Sequence, residues 1–261
     1  MNKYFVGIDS GSTMCKAVLL QEGILDYESV KTGWNPKLSA AEILELLLKR
    51  NNLRRNNVYV AATGYGREAI DFADHTFTEI TAHAFGAMFL VPNISGVIDI
   101  GGQDSKVIQI QDKKVSNFLM NDKCAAGTGR FLSMACETLE IALTEIDRFA
   151  NLAEAVTINS MCTVFAESEI IGLLSLQKDR SQIMSGVLFS IAQKVKQMTG
   201  KLDFKENLPL LMTGGLSRSQ ALLKVIAQTT ALEVFTHESA LFAGAVGACV
   251  CASNKIGDKA R

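Results

Sequence analysis

Short apolar runs suited to buried strands alternate along this chain with longer runs that repeat at helical spacing. Residues 96–100 and 208–212 are mostly apolar and bounded by polar turns, which is typical of strands inside a sheet. Residues 80–90 and 216–228 carry apolar side chains at helical intervals. The alternation of the two patterns predicts an α/β protein.

One helix start is indicated by its own signal. Ser39 and Glu42 stand at the spacing of a capping box, directly before the apolar run 43–48. In such a box the serine and glutamate side chains satisfy free backbone N–H groups of the first turn. The sequence therefore predicts a helix that begins at Ser39.

A dozen residues near the N-terminus recur 90 positions later. Residues 7–18 align with residues 97–108 without a gap, and each copy reads as a strand, a glycine-rich polar turn and a second strand. Residue types with chemical function fall in register, which favours a true duplication over chance. The identical positions are Ile8 and Ile98, Asp9 and Asp99, Gly11 and Gly101, and Lys16 and Lys106.

The repeat predicts two domains. We place the first at residues 1–92 and the second at residues 93–239. The remaining stretch, 240–261, is rich in small residues and is predicted to be a helix that packs back on the first domain. A chain of 261 residues is long enough for two domains of this size.

The two repeated turns have the composition of a nucleotide phosphate site. Glycines let backbone N–H groups approach phosphate oxygens, and Ser12, Thr13 and Lys16 add donors in the first turn. Neither turn is a Walker A loop or a GxGxxG motif. We predict ATP or ADP with Mg²⁺ as the ligand. The predicted nucleotide-binding residues are Asp9, Gly11, Ser12, Thr13, Lys16, Asp99, Gly101, Gly102, Gln103, Gly127, Gly129, Gly214 and Gly215.

Four polar residues in and beside these turns are predicted to bind magnesium or to take part in catalysis. Asp9 and Asp99 are predicted to hold Mg²⁺, which takes one or two carboxylates from a protein and keeps several waters. Gln103 and Asp104 are the predicted catalytic residues, because they follow the second turn and can orient an attacking water.

With these landmarks the chain resembles the superfamily of sugar kinases, actin and the heat-shock-protein ATPases. The resemblance rests on a first phosphate loop at residues 7–16, a second at 97–106, and the glycine pair Gly214 and Gly215. It implies two duplicated ribonuclease-H-like domains that close on ATP, with the glycine pair against the adenosine.

The composition of the chain argues against some classes of binding partner. The formal net charge of -1 implies no basic face, so nucleic acid and anionic membranes are not expected to bind. The first residues lack the basic start and apolar stretch of a signal peptide, and no run reaches the ~18 apolar residues of a membrane helix. We expect a soluble, cytoplasmic protein whose six cysteines are free thiols or ligands and not disulfides.

Two of the six cysteines differ from the rest. Cys124 and Cys162 each lie between polar turn residues and a predicted helix, whose N-terminal N–H groups and partial positive charge favour a thiolate. Spacing alone leaves three alternatives for them: iron–sulfur ligation, zinc ligation and a structural role. The other four stand in apolar contexts and are predicted to be core residues: Cys15, Cys136, Cys249 and Cys251.

Longer motifs carry a second resemblance. Residues 121–132 and 161–169, with 99–106 and 63–67, resemble those of the activators of 2-hydroxyacyl-CoA dehydratases, a family that includes the ATPase subunits of benzoyl-CoA reductases. The resemblance spans essentially the whole chain. It implies a homodimer with one [4Fe–4S] cluster between subunits, and its ligands would match Cys124 and Cys162.

The function implied is that of an ATP-dependent one-electron reductase. Reduced ferredoxin or flavodoxin would be the donor, and a dehydratase-like or double-cubane iron–sulfur protein the acceptor. Two alternatives stay open from the sequence: a small-molecule kinase of the same fold without a cluster, and an ATP-gated regulatory protein.

Three other side chains allow two readings each. His83 is either a structural histidine or a residue that meets the γ-phosphate. Glu167 and Glu169 follow Cys162 in the first turns of a predicted helix, where acidic groups suit the helix dipole. They can also contact a partner protein.

Overall fold

The structure is a computed structural model that describes residues 4–159, 162–205 and 207–259. The chain forms two compact units, which we call unit 1 and unit 2. Unit 1 comprises Met1–Asn93, Gln111–Val115 and Ser239–Arg261, and unit 2 comprises Ile94–Ile110 and Ser116–Glu238. Each unit is built on one five-stranded sheet.

The strands, in chain order, are β1 (Tyr4–Ser10), β2 (Met14–Leu20), β3 (Ile24–Lys31), β4 (Val58–Thr63), β5 (His75–Thr76), β6 (Gly96–Ile100), β7 (Ser105–Gln111), β8 (Lys114–Asn121), β9 (Leu210–Gly214) and β10 (Val234–Phe235). The helices are α1 (Pro36–Arg50), α2 (Glu79–Leu90), α3 (Gly129–Thr138), α4 (Ile146–Phe149), α5 (Thr163–Ser175), α6 (Arg180–Thr199), α7 (Gln220–Thr230) and α8 (Ala243–Lys259).

The two sheets share one topology. Unit 1 has the strand order β3-β2-β1-β4-β5, and unit 2 has the order β10-β9-β6-β7-β8. In each unit an antiparallel hairpin adjoins a parallel strand from later in the chain: β1–β2 beside β4, and β6–β7 beside β9. The α/β prediction is confirmed, and the sequence repeat at 90 residues corresponds to the two hairpins.

Alternation of side chains along β1 explains why its sheet is covered on both faces. Val6 and Ile8 lie in one apolar cluster with Ile43 of α1, whereas Phe5 lies in another with Val246 of α8. Successive strand residues point to opposite faces, so a continuous apolar run suits a strand with a helix on each side.

The helix start predicted at Ser39 is wrong. α1 begins at Pro36, and the side chain of Asn35 accepts a hydrogen bond from Leu38 N as the N-cap. Ser39 is buried inside the helix, and its hydroxyl donates to the carbonyl of Thr32 at 2.6 Å. Asparagine followed by proline is the stronger start signal, because proline lacks the N–H that the first turn leaves unpaired.

The C-terminal segment forms a long apolar helix. The window Ala240–Gly257 has a mean hydropathy of 1.3 and the length of a membrane span, although the polar residues 253–255 interrupt it. Of this window, 61% is buried inside the protein. α8 packs against α2 and β1, and a Cβ on Gly86 or Gly247 would collide with backbone of the opposite helix. The apolar composition therefore serves a core helix.

Candidate functional site

The first hairpin buries a carboxylate against a lysine. Asp9 and Lys16 are cross-strand partners in β1 and β2, and Lys16 Nζ lies 3.2 Å from Asp9 Oδ2. The turn between them is closed by Gly11 N, which donates to Met14 O at 3.2 Å. Thr32 Oγ1 also donates to Gly11 O at 2.7 Å. The shape of the turn is therefore fixed, and the charge of the buried carboxylate is compensated.

Two glycines leave Asp9 no room for larger neighbours. Gly64 has a φ of +93°, and a Cβ on it would lie 2.7 Å from Asp9 Oδ1. A Cβ on Gly244 would lie 2.9 Å from both Asp9 Oδ2 and His83 Nε2. His83 is 4% exposed, so the structural reading of this histidine fits its place beside the carboxylate.

Two hydroxyls next to this carboxylate are buried. Ser10 Oγ and Thr63 Oγ1 have no hydrogen-bond partner among the described residues. Gly66 covers Ser10, because its N–H donates to Ser10 O at 2.9 Å. Unpaired buried hydroxyls are uncommon in native interiors.

The second hairpin repeats this arrangement and extends it. Asp99 and Lys106 are cross-strand partners, and Lys106 Nζ lies 3.3 Å from Asp99 Oδ2 and 2.8 Å from Asp104 Oδ2. Lys106 is 1% exposed. Thr213 Oγ1 donates to Asp99 Oδ1 at 2.9 Å. The predicted catalytic residue Asp104 is thus held by a buried ammonium group, while Gln103 is exposed.

A Thr-Gly pair ends the parallel strand beside each hairpin. Thr63 and Thr213 are the cross-strand partners of the two hairpin aspartates. The following residues, Gly64 and Gly214, both have positive φ, +93° and +86°. A Cβ on either glycine would crowd the neighbouring aspartate Oδ1, at 2.7 and 2.8 Å. Backbone conformation and space both require glycine here.

Cys124 lies in a loop held by hydrogen bonds of its own residues. Asn121 Nδ2 donates to the carbonyls of Cys124 and Ala126, each at 2.9 Å. Thr128 Oγ1 donates to Ala125 O at 2.6 Å. Cys124 is partly exposed. It precedes the N-cap of α3, Thr128, by four residues, so the prediction that it stands at the helix N-terminus is wrong.

The N-terminus of α3 is directed at the second phosphate loop. Gly129 N donates to Gly101 O and Arg130 N donates to Gly102 O, each at 2.8 Å. These N–H groups were expected to face the cysteine, and the structure gives them another partner. Hydrogen bonds of the helix therefore join the loop that follows β6 to the segment that carries Cys124.

Cys162 is the N-cap residue of α5, with a φ of −90° and a ψ of 131°, and it is exposed. The carboxylate of Glu169, two turns along α5, accepts from Asn159 N at 2.9 and 3.1 Å and from Asn159 Nδ2 at 3.1 Å. Glu169 thus secures the chain just before the cysteine, a role the sequence did not indicate. Met161 of the predicted motif lies outside the described residues.

Comparison with known proteins now assigns the family. Residues 6–252 match the model of the BadF/BadG/BcrA/BcrD ATPase family. The chain belongs to this family. An uncharacterized protein of Escherichia coli, YjiL, is 43% identical over 249 residues, covering 95% of this chain and 96% of the relative. The (R)-2-hydroxyglutaryl-CoA dehydratase activating ATPase of Acidaminococcus fermentans is 37% identical over 259 residues, covering 98% of this chain and 99% of the relative.

Two solved structures agree with this assignment. Component A of the A. fermentans dehydratase superposes with a TM-score of 0.91 at 35% identity, covering 98% of this chain and 99% of that one. The activator of 2-hydroxyisocaproyl-CoA dehydratase from Clostridium difficile was solved with bound ADPNP. It superposes with a TM-score of 0.90 at 34% identity, covering 98% of this chain and 96% of that one. The predicted resemblance to dehydratase activators is confirmed.

The fold prediction is confirmed as well. MreB 5 of Spiroplasma citri shares the fold with a TM-score of 0.55 at 14% identity, covering 99% of both chains. The chain thus has the α/β fold of this structure, with one five-stranded sheet in each of its two units.

The other four cysteines of this family member are core residues, as predicted. All four are buried, and burial raises the pKa of the Cys15 thiol to about 12, with the Asp9 charge adding to the effect. Burial likewise raises the pKa of Cys136 to about 11 and that of Cys251 to about 12. Desolvation also raises the pKa of Cys249, which is 0% exposed. None of these thiols suits metal ligation.

The donor set tests whether an iron–sulfur cluster fits. A cluster of this kind is held by four cysteine thiolates, and this chain offers two accessible ones, both in unit 2. Across residues 4–159, 162–205 and 207–259, no group of three or more His, Cys, Asp or Glu side chains could hold a metal. In number and chemistry, Cys124 and Cys162 therefore match two of the four thiolates that such a cluster requires.

The sequence analysis assigned no role to several residues that border the two hairpin aspartates. Thr63, Gly64 and Gly244 border Asp9, and Thr213 binds Asp99. One signal was available, because an apolar strand ends in Thr-Gly twice, at 63–64 and at 213–214. Gly244 carried no local signal, since its partners lie far away in the chain. Gly215, by contrast, has no heavy atom of the described chain within 4 Å of a Cβ position.

Proposed function

We propose that this protein is an ATP-dependent one-electron reductase that activates a partner iron–sulfur enzyme. The observation that carries the proposal is the contrast among its six cysteines. Four are buried thiols, whereas Cys124 and Cys162 are accessible and begin or precede helices of unit 2. The segment of Cys124 is hydrogen-bonded to the second phosphate loop, which gives nucleotide and thiol a shared structural support.

ATP with Mg²⁺ is the proposed ligand of the two hairpin loops. The family is one of ATPases, and the C. difficile relative was solved with ADPNP. Asp9 and Asp99 have the oxygen chemistry that Mg²⁺ prefers, and each is buried against one lysine. The buried hydroxyls of Ser10 and Thr63 border the first loop. We retain Gln103 and Asp104 as the residues that orient the attacking water.

A two-fold dimer would supply the missing ligands. Two thiols from each of two chains make the four that a [4Fe–4S] cluster requires, and an isologous interface presents the same patch twice. The helix α5, for which Cys162 is the N-cap, carries exposed apolar side chains. They are Val164 at 67% exposure, Phe165 at 68% and Ile171 at 51%, and the C-cap residue Leu176 is 73% exposed. An apolar face of this size beside the ligand supports a homodimer.

The names of the relatives support the proposed acceptor. The activators of A. fermentans and of C. difficile serve acyl-CoA dehydratases, and a 31% identical relative from Thauera aromatica is part of a benzoyl-CoA reductase. We propose a dehydratase-like or double-cubane iron–sulfur protein as acceptor, and reduced ferredoxin or flavodoxin as donor. A bound cluster supplies one-electron chemistry at low potential, and the protein's hydrogen bonds and solvent exposure around the sulfurs set that potential.

The test is the iron content of protein purified without oxygen. The wild type is expected to contain about four irons per two chains. Cys124→Ala and Cys162→Ala are each expected to lose the iron, while Cys136→Ala, a buried cysteine of the same unit, is expected to keep it. Wild-type protein without iron, or full iron in either ligand variant, would contradict the proposal and favour a kinase of the same fold.

A further inference from the structure

One side chain binds two backbone carbonyls of the loop that carries Cys124. The carboxamide of Asn121, the last residue of β8, has two N–H groups, and it donates to Cys124 O and to Ala126 O. A carboxamide nitrogen can satisfy two carbonyls at once, and an aspartate in its place would set an acceptor against two acceptors. Asn121 therefore fixes the backbone of the cysteine relative to the turn that enters α3.

That turn has little freedom of its own. Gly127 has a φ of +85°, and a Cβ on it would lie 2.7 Å from Lys194 Cγ of α6. Thr128 closes the turn by donating its hydroxyl to Ala125 O. The segment between Cys124 and α3 is thus wedged against α6 and held in a left-handed conformation that glycine tolerates.

At its other end the segment meets the second phosphate loop. Gly129 N and Arg130 N donate to the carbonyls of Gly101 and Gly102. A Cβ on Gly129 would stand 3.0 Å from Gly101 O, so helix and loop are in close backbone contact. A shift of that loop must move α3 or break these two bonds.

We propose that Asn121 is a positioning residue that transmits the position of the second phosphate loop to Cys124. The inference rests on the proposed function, since it assigns a route by which nucleotide at the loop alters the surroundings of the ligand. The route runs from Gly101 and Gly102 through the start of α3 to the turn, and Asn121 joins the turn to the cysteine backbone.

The second cysteine has a different support. Glu169 accepts its hydrogen bonds from Asn159, within the chain that leads to Cys162. The carbonyls of the second phosphate loop, by contrast, accept hydrogen bonds from the N-terminus of α3. We therefore expect bound nucleotide to affect the backbone around Cys124 and not that around Cys162.

The test uses full-length protein purified without oxygen, in the wild type and in Asn121→Ala and Asn121→Asp. Asn117→Ala is the matched control, because Asn117 is an exposed residue of the same strand whose side chain accepts only from the next backbone N–H in the described structure. Redox titration followed by electron paramagnetic resonance gives the reduction potential with MgADP and with Mg-ADPNP. The melting temperature and iron content show whether each variant is folded and loaded.

The wild type and Asn117→Ala are expected to change their reduction equilibrium at least tenfold between the two nucleotides, which is ~59 mV for one electron. Both Asn121 variants are expected to change it less than twofold. A full shift in Asn121→Ala would overturn the inference, and so would an iron-loaded wild type that shows no shift. Wild-type protein without iron would instead contradict the proposed function.

A second measurement covers variants that lose iron. Hydrogen–deuterium exchange of the full chain without cluster is followed in peptides that span residues 121–131. The wild type and Asn117→Ala are expected to gain protection there with Mg-ADPNP, and Asn121→Ala is expected to gain none. Equal protection in Asn121→Ala would overturn the inference whatever its iron content.

Discussion

At the scale of single residues, burial divides the cysteines into two classes. Four thiols are buried, and burial raises their pKa values, those of Cys15 and Cys251 to about 12. The thiolate is the reactive form, so these side chains resist alkylation. Cys124 and Cys162 are accessible to solvent.

We expect iodoacetamide at pH 8 to modify Cys124 and Cys162 in the native cluster-free protein and to leave the other four unmodified. Mass spectrometry of tryptic peptides gives the extent at each position. Unfolding in urea is the control, and all six should then react. Rapid labelling of Cys15 or Cys249 in the native state would contradict the assignment.

Gly214 and Gly215 form a matched pair for a test of backbone strain. Gly214 has a φ of +86° and no room for a Cβ, whereas Gly215 has open space around it. Gly214→Ala is expected to lower the free energy of unfolding by about 1–3 kcal/mol, since an L-residue in such a conformation is strained. Gly215→Ala should leave it within about 0.5 kcal/mol. Urea titration measures both, and equal stability of the two variants would refute the strain argument.

Residue-scale prediction from the sequence located the polar pairs of the two repeated hairpins. Asp9 and Asp99 each stand one residue before the end of an apolar strand, and each is paired with its own lysine as the offset of 90 requires. Asn121 and Glu169 were not assigned roles. Their partners are backbone groups of neighbouring loops, and a loop conformation cannot be inferred from residue types alone.

At the scale of elements, helix starts decide the placement of the site. α1 begins at Asn35-Pro36 and not at Ser39, because a capping-box spacing inside a helix also occurs by chance. α7 has two N-terminal supports: Ser219 accepts from Leu222 N, and Asp147 accepts from Gln220 N and Ala221 N. The Asp147 cap could not be predicted from the sequence, because this residue is more than 70 positions away from the helix that it caps.

The hydrogen bonds that the Glu169 carboxylate accepts from Asn159, which we call the Glu169 clamp, predict how the chain before α5 responds to mutation. Glu169→Ala removes an acceptor of three hydrogen bonds from Asn159, so the chain before Cys162 should open more often. We expect at least twofold faster amide exchange in peptides covering residues 156–162. Glu167→Ala, an exposed neighbour on the same helix, should leave the exchange unchanged. Equal rates in the two variants would contradict the clamp.

At the scale of the whole molecule, the duplication fixes the topology. Both sheets place an antiparallel hairpin beside a parallel strand that ends in Thr-Gly, and the sequence repeat predicted the hairpins but not the added strands. Parallel neighbours lie far apart in the chain, so their pairing leaves little local pattern. The exposed face of α5 had no signal either, because its apolar residues fit a buried helix equally well.

That face leads to an expectation for the oligomer. Phe165→Asp places a charge on a side chain that is 68% exposed in the single chain. If α5 forms the dimer interface, the variant should be monomeric at micromolar concentration, because a buried unpaired charge is costly. Leu143→Asp, at an exposed apolar position of the same unit outside α5, is the control. Light scattering after size exclusion gives the mass, and a dimeric Phe165→Asp would contradict this interface.

In the proposed function, Cys124 and Cys162 of two chains hold one shared cluster. Native mass spectrometry of protein purified without oxygen tests it most directly, because it reports subunits and bound inorganic atoms in one spectrum. We expect a dimer whose mass exceeds that of two chains by four irons and four sulfides, and Cys162→Ala should abolish the added mass. A complete cluster on a single chain, or a dimer without added mass, would contradict the claim.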